Sequence, residues 1–525
     1  MSKEIKSFSI YLFFSFLVIA IYIEVSHFWV SIGGFSGVKD YIEIPVLLLI
    51  LLLVYVPKEK TYHSVIIGTL PLLTLYLLYD LFYHFLKRSS VISDLENTFA
   101  LLDFSQDILF SAIALLAIGF LPFIYQQYIY LTKRKSYTFF SIKIIIIILL
   151  VTIMNNTTFY KLYTQTYQYS KFSHTKGIIN NGRFSSFIYF SIKEKKALKK
   201  LASYQNKSIT MYTKLFNNAP LTHTKNIYII VLESFIDPRL LKGISFNRSP
   251  LFEGMHKYLN NGFFDYGVSP VYGAGTAQAE FEILTGVKAY KAINAAEFNA
   301  LHGSQVHSFI NYFNKYGYQT EALIASKSNY YNSMMAYRSI GFRNIVFLEE
   351  TSHFTMNADD DRIFDGDLFN YSLQHRKTLT APYILYTLGM YGHIPYKRNL
   401  ALRPDLITTN MSHRKITNIS NQFYYRTKAL SHYIDKILAE DPKSVILVTS
   451  DHLPPIINGD IKYTKNTRIN ISLLLIDGHY TQMEKQPYYR YPITILEHLS
   501  QKNINTISDK EMKETYFKLH LESHH

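Results

Sequence analysis

The stretch "NIYIIVLES", residues 226–234, decides the fold: six consecutive apolar residues, Ile227 to Leu232, stop abruptly at an acid, Glu233. A run of this length, with no polar face, is a strand buried on both sides of a largely parallel sheet. Four further runs have the same character: "TEALIA" (320–325), "PYILYTL" (382–388), "SVILVTS" (444–450) and "ISLLLI" (471–476). Helical patterns separate them, among them "VHSFINYFNKYG" (306–317) and "QFYYRTKALSHYIDKIL" (422–438). Strands alternating with amphipathic helices predict an α/β sandwich.

In open α/β sheets, ligands gather outside the carboxyl ends of the strands. Glu233 follows the first run, Asp451 and His452 follow "SVILVTS", and His393 lies a short way beyond "PYILYTL". Taken singly, Glu233 reads as a helix cap, Asp451 as the start of a turn, and either histidine as a packed loop residue. Delivered to one sheet edge, they are oxygen and nitrogen ligands suited to a divalent cation.

Between the first two runs stands "VYGAGTAQAEFEILTG" (271–286), in which Gly273 and Gly275 flank Ala274 and Thr276 opens a run of helix formers. Thr276 is then either a plain N-cap or a hydroxyl placed where helix N–H groups and the positive end of the dipole favour a phosphate. A threonine hydroxyl is a poor nucleophile at neutral pH, and no Ser/His/Asp arrangement is apparent to activate it. A metal would lower the cost of its alkoxide, so Thr276 also joins the ligand set as a candidate covalent phosphoryl acceptor. Glu280 and Glu282 are expected to stabilise the first turns of the helix. The acidic run "NADDDRIFDGDLF" (357–369) reads as a solvated loop, with a second cation site as the alternative; His302 and His307 read as surface or core residues.

The amino-terminal part has a different composition. Apolar runs at 8–30, 42–56, 64–86, 108–131 and 138–154 predict five membrane spans, the second and fifth short for a bilayer about 30 Å thick. Lys3, Lys6, Lys58, Lys60, Lys133, Arg134 and Lys135 lie beside one set of span ends, against Lys39, Lys87 and Arg88 beside the other. By the positive-inside rule the amino terminus is cytoplasmic, and an odd number of spans puts everything after Met154 outside. The expected domains are 1–154, spanning the membrane; 155–225, linker helices; and 226–525, catalytic. Within the linker, "FSIKEKKALKKLASYQNK" (190–207) suits either a helix lying on the headgroups or a solvated linker helix. The chain has 525 residues, no cysteine and a formal net charge of +15. A disulfide framework, a thiolate zinc site and a cysteine nucleophile are thus excluded. For an exported domain tethered to a bilayer, that charge points to anionic lipid and away from nucleic acid.

Four motifs in this order, "IVLESFIDP" (230–238), "GAGTAQAEFEILTG" (273–286), "GMYGHIPY" (389–396) and "SDHLPP" (450–455), resemble the lipoteichoic acid synthase family, the sulfatase-like phosphoglycerol transferases of the alkaline phosphatase superfamily. The resemblance implies an extracytoplasmic α/β/α sandwich of alkaline phosphatase/sulfatase type behind a five-helix transmembrane domain in a bacterial cytoplasmic membrane. It implies Glu233, Thr276, Asp451 and His452 as ligands of one divalent ion, manganese, magnesium or zinc. Thr276 would double as nucleophile, and His393 would contact the phosphate or act as acid/base. The implied donor is phosphatidylglycerol, the intermediate a glycerophosphoryl threonine, and the acceptor a cell-envelope glycolipid, glycan or teichoic-acid-like polymer.

The sequence departs from that family at two places. Its members usually carry a glycerol-phosphate-binding arginine in a Phe-Trp-Asn-Arg run; here "YYNS" (330–333) stands there, with Ser333 at the arginine's position, and a histidine expected upstream is absent near Ile324. Lys327 and Arg338 are the nearby cations that would compensate. The departure keeps a phosphoethanolamine transferase, using phosphatidylethanolamine and acting on lipid A or a surface glycan, as the nearest alternative. A phosphodiesterase and an inactive lipid-binding relative stand behind it. A true sulfatase requires a formylglycine made from cysteine or serine, which threonine cannot supply.

Overall fold

The computed structural model describes residues 3–30, 43–55, 61–86, 89–92, 106–134, 141, 143–145, 148, 165–170, 174–202 and 220–523, less 295, 353, 355–358, 412, 457–460 and 505–506. The chain divides into two compact units, Met1–Lys199 and Lys200–His525.

In the first unit, α1 (Lys3–Val30), α2 (Glu43–Val54), α3 (Thr61–Leu86), α4 (Gln106–Arg134), α5 (His174–Asn181) and α6 (Arg183–Ala202, its last residues in the second unit) are helical. Tyr11, Ile19, Leu47, Leu51, Leu72 and Tyr76 join α1, α2 and α3 in one apolar cluster. On its other side α1 exposes Phe13, Leu17, Ile21, Val25 and Phe28, the stripe a lipid-facing helix presents. Among the described residues two helices are long and apolar enough to span a bilayer, Lys6–Phe28 and Tyr62–His84; Glu43–Val54 and Ile113–Ile129 are shorter apolar segments. The expectation of five spans is therefore met at two, and the fifth, 138–154, falls mostly outside the described residues. The basic segment expected on headgroups or in solvent is part of α6, whose Tyr189 ring stacks 3.8 Å from that of Tyr167, while Lys195, Lys196 and Lys199 face outward.

Among the described residues the second unit is built on nine strands: β1 (Ile227–Leu232), β2 (Asp265–Val268), β3 (Gln319–Ile324), β4 (Asn344–Phe347), β5 (Tyr383–Gly389), β6 (Val445–Ser450), β7 (Ile469–Ile476), β8 (His479–Tyr480) and β9 (Gln486–Pro487). Their order is β4-β3-β5-β1-β6-β7-β2-β9, with β8 on β7. Strands β4, β3, β5, β1 and β6 run parallel, and β7 lies antiparallel to β6. Each of the five long apolar runs is a strand, and β1, β5 and β6 are buried along their whole length, as continuous apolarity requires.

The helices of this unit are α7 (Thr276–Thr285), α8 (Phe309–Lys315), α9 (Ser333–Ile340), α10 (Asp365–His375), α11 (Arg414–Glu440), α12 (Tyr491–Ser500) and α13 (Asp509–Glu522). Successive residues of β5 show that they cover both faces. The Tyr386 hydroxyl donates to Glu280 of α7, whereas Thr387 adjoins Tyr433 of α11. Because strand side chains alternate, α7 and α11 lie on opposite sides of the sheet.

Candidate active site

The register of three strands sets the site. Leu232 of β1 pairs with both Gly389 of β5 and Ser450 of β6, so the residues that follow, Glu233 and Asp451, emerge side by side at the carboxyl edge. Here the chain lays β3–β5 on one side of β1 and β6 on the other, the kind of divergence that opens a crevice in such sheets.

Glu233, Asp451 and His452 are buried, and one ligand atom from each lies within 4.8 Å of the others, a spacing that could hold a metal ion. The Nε2 of His452 is 3.2 Å from Asp451 Oδ2 and 3.6 Å from Glu233 Oε1. Its other nitrogen, Nδ1, lies 3.1 Å from the Leu453 carbonyl; donating a proton there fixes the tautomer that leaves Nε2 free as a ligand. Thr276, also buried, donates from Oγ1 to Glu233 Oε2 at 3.1 Å. The structure thus brings together four of the five predicted site residues around one point. The fifth, His393, is half-buried in the loop after β5 and close enough for its charge to act on Glu233; its Nδ1 is 2.8 Å from the Ile394 carbonyl.

Thr276 reaches this point because the chain before it turns through two left-handed glycines, Gly273 at φ 71° and Gly275 at φ 105°. A Cβ on Gly275 would meet Gln278 Oε1 at 2.8 Å, and a side chain at that φ is strained in any case. The hydroxyl points to Glu233, and Thr276 begins the helix one residue after its Gly275 cap.

Electrostatics favour a cation. Burial, and then the Glu233 carboxylate beside it, push Asp451 up to about 7. Burial would raise Glu233 too, but the imidazoles of His452 and His393 hold it below the ordinary carboxylate value. Burial would lower His452; Asp451 and Glu233 overcome this and raise it. Two adjacent carboxylates out of water repel each other, and a divalent ion is what removes that cost. One buried oxygen, Asp451 Oδ2, receives no hydrogen bond, as a metal ligand would. The residues present therefore fit a divalent ion.

A supporting layer surrounds these ligands. The backbone N–H groups of Ser234 and His452 donate to Asp451 Oδ1 at 2.8 and 2.7 Å, and Ser234 Oγ donates to Glu233 Oε1 at 2.8 Å. Arg426, buried in α11, donates from Nη1 to the Glu233 carbonyl at 3.0 Å and from Nε to Asp365 Oδ2 at 2.5 Å. Sequence reasoning missed Arg426, although its place between Phe423 and Leu430 on the apolar face of "QFYYRTKALSHYIDKIL" marks an inward-facing cation.

Other expectations change. Glu280 and Glu282 do not serve the helix end; both are buried. Glu280 Oε1 accepts from Tyr337 at 2.5 Å and Tyr386 at 2.7 Å, and Glu282 Oε1 accepts from the Ala289 N–H at 2.9 Å. The acidic run is solvated only in part where it is described: Asp359 is exposed and Asp361 lies 3.5 Å from Lys397, whereas Asp360 is buried against Arg403 and Asp365 against Arg426. His307 pairs with Glu522 near the surface. Ser333 is buried with its hydroxyl on the Tyr330 carbonyl, Arg338 is exposed in the last turn of α9, and Lys327 is exposed just beyond β3. Arg362 was overlooked; it is close enough for its charge to act on Tyr330, whose phenol is raised by burial and by Glu233 and Asp451.

A largely parallel sheet flanked on both faces, with a buried Glu–Asp–His group and a helix-terminal threonine at its carboxyl edge, defines an α/β fold with a candidate metal site. The sulfatase family model matches residues 225–509, more than half of the chain, and the chain belongs to the sulfatase family. The four-motif resemblance is borne out at that level. Among solved structures of similar fold are the lipoteichoic acid synthase LtaP of Listeria monocytogenes (18% identity, 59% of this chain and 79% of that one, TM-score 0.43) and the Streptococcus pyogenes phosphoglycerol transferase GacH with sn-glycerol-1-phosphate (16%, 61% and 92%, 0.46). The zinc-bound C-terminal periplasmic domain of EptC from Escherichia coli is a third (14%, 53% and 83%, 0.37). A Rhizobium meliloti protein, described provisionally as a cyclic beta-1,2-glucan modification protein, is 24% identical over 247 residues. That match covers 45% of this chain and 37% of the relative, so the chain spans well under two thirds of the curated relative.

Proposed function

We propose that the protein is a membrane-bound phosphoryl-group transferase that moves phosphoglycerol from phosphatidylglycerol to a cell-envelope glycan, glycolipid or teichoic-acid-like acceptor, through a phosphothreonine ester on Thr276. The observation that carries this reading is the buried Thr276 hydroxyl 3.1 Å from Glu233, within a carboxylate–imidazole group that fits a cation.

Glu233, Asp451, His452 and Thr276 would hold one divalent ion, manganese, magnesium or zinc. When bound, it supplies Lewis-acid charge that favours the ionised hydroxyl and polarises the phosphoryl group. Thr276 Oγ1 gives up its proton along its hydrogen bond to Glu233 and attacks phosphorus. The Oγ1–P bond forms, the bond from phosphorus to the diacylglycerol oxygen breaks, and His393 protonates the leaving alkoxide. In the second half the acceptor hydroxyl loses its proton to His393 and attacks the same phosphorus, the Oγ1–P bond breaks, and the Thr276 oxygen takes back from Glu233 the proton it gave up in the first half. The N–H groups at the start of α7 would stabilise charge on the equatorial oxygens in both steps. Threonine cannot become formylglycine, so sulfate-ester chemistry of that type does not apply.

The test is peptide mass spectrometry of the purified protein after incubation with phosphatidylglycerol and a manganese, magnesium or zinc salt. A glycerophosphoryl adduct on Thr276 is expected, absent in Thr276→Ala, with diacylglycerol release reduced by at least about a thousandfold. Release unchanged in that variant would sink the covalent route. Ser333, uncharged and tied to the Tyr330 carbonyl, favours one second reading, with phosphatidylethanolamine as donor. A phosphoethanolamine adduct on Thr276 would establish it.

A further inference from the structure

Among the described residues of the second unit, five large hydrophobic side chains are exposed: Phe263, Tyr316, Ile394, Leu400 and Leu402. Three of them fall within nine residues, in the loop that starts at His393, with Ile394 50%, Leu400 48% and Leu402 57% exposed. Burial in this loop is inverted, for Arg398 and Arg403 are interior while the leucines face solvent.

The inversion is built in. Arg403 pairs with the buried Asp360 and stacks 4.2 Å from the Phe364 ring centre, and Arg398 pairs with Asp405 and donates from Nε to the Arg403 carbonyl at 2.8 Å. The Asn399 N–H donates to Asp360 at 2.8 Å, and Asn399 Oδ1 in turn accepts from the N–H groups of Ala401 and Leu402 at 3.0 and 3.1 Å. Leu400 and Leu402 are thus held outward by a buried ionic framework. Lys397, Arg414 and Lys415 are exposed in the same loop and at the start of the helix it feeds. Exposed aliphatic tips together with three exposed cations, of which Lys397 lies 3.5 Å from Asp361, are the composition of a surface that enters the headgroup layer of an anionic bilayer.

We propose that the 394–402 loop is a membrane-docking surface. Ile394, Leu400 and Leu402 enter the acyl boundary, Lys397, Arg414 and Lys415 meet anionic headgroups, and His393 is thereby held at the depth of a phospholipid's phosphodiester. The inference rests on the phospholipid-donor reading and adds how that donor is reached without leaving the bilayer.

The native chain has no cysteine, so a single label is unambiguous. Leu402→Cys and, separately, Leu400→Cys would be labelled with an environment-sensitive fluorophore in the full chain. The protein would then be reconstituted in vesicles of phosphatidylglycerol and phosphatidylcholine, with and without bromine on the acyl chains. Lys443→Cys, exposed at the opposite, amino-terminal edge of β6, is the control. The expected result is blue-shifted emission at 400 and 402 that brominated lipid quenches, with no quenching at 443. Water-like emission at both loop positions would overturn the proposal. So would a blue shift that bromine leaves untouched, because another protein surface would then be covering the loop. Assaying the Thr276 adduct on the same vesicles separates the two readings. An adduct without loop quenching removes the docking surface alone, and loop quenching without an adduct removes the donor reading alone.

Discussion

Glu280 shows how one side chain near the site makes the protein depend on pH. Burial raises its carboxyl to about 8, offset in part by the hydroxyls of Tyr337 and Tyr386, which both donate to Oε1. At neutral pH it is held as the neutral acid, with one oxygen accepting twice. A group whose folded value lies above its unfolded value of 4.5 contributes stability that is complete below that value and is lost as pH rises toward about 8. Glu280→Gln keeps the accepting oxygen and removes the proton equilibrium. Its thermal midpoint is expected to exceed that of the native chain at pH 8 and not at pH 5; parallel pH profiles for the two proteins would show that the native carboxyl is already ionised.

The loops beyond β1, β5 and β6 act as a unit because their backbones touch. Gly392 is where the β5 loop crosses the β1 loop: a Cβ there would lie 2.0 Å from the Glu233 carbonyl oxygen and 2.4 Å from Arg426 Nη1. The first contact is with backbone, which cannot swing aside. Gly392→Ala is therefore expected to shift the Glu233 main chain and weaken divalent-ion affinity by about tenfold or more, the usual scale for losing ligand support. Calorimetric titration with manganese checks this, and unchanged affinity would mean that the loops move independently. The same contacts explain why Arg426 is buried: it joins α11 to α10 through Asp365 while fixing the Glu233 carbonyl.

Over the whole molecule, the site ties together chain segments distant in sequence. Glu233, Thr276 and the Asp451–His452 pair come from well-separated positions, and holding them together without a cation costs the burial and the Glu233 repulsion that raise Asp451. A divalent ion that binds only the folded form should stabilise it by about 2.7 kcal/mol at a hundred times its dissociation constant. The thermal midpoint is expected to rise with added manganese, magnesium or zinc, to fall back with chelator, and to lose most of this response in His452→Ala. A midpoint indifferent to every ion would remove the metal from the ligand set.

The sequence by itself determined the strands, because a strand buried on both faces must be apolar at every position, as Ile227–Leu232 is, and a run of six is too short for a buried helix. It also made the ligands legible, since an acid or imidazole directly after such a strand must emerge at its carboxyl end. The fates of isolated polar residues were not legible. Glu280 reads like any acid in a helix's first turns, and the acids at 360 and 365 like a solvated run, because nothing local names the tyrosines and arginines that bury them. Those partners arrive from α9, β5, α11 and the loop after β5, so only tertiary packing chose them. The short spans were predicted from apolarity alone, and a short apolar segment can satisfy its surface against protein or against lipid with the same composition in both cases.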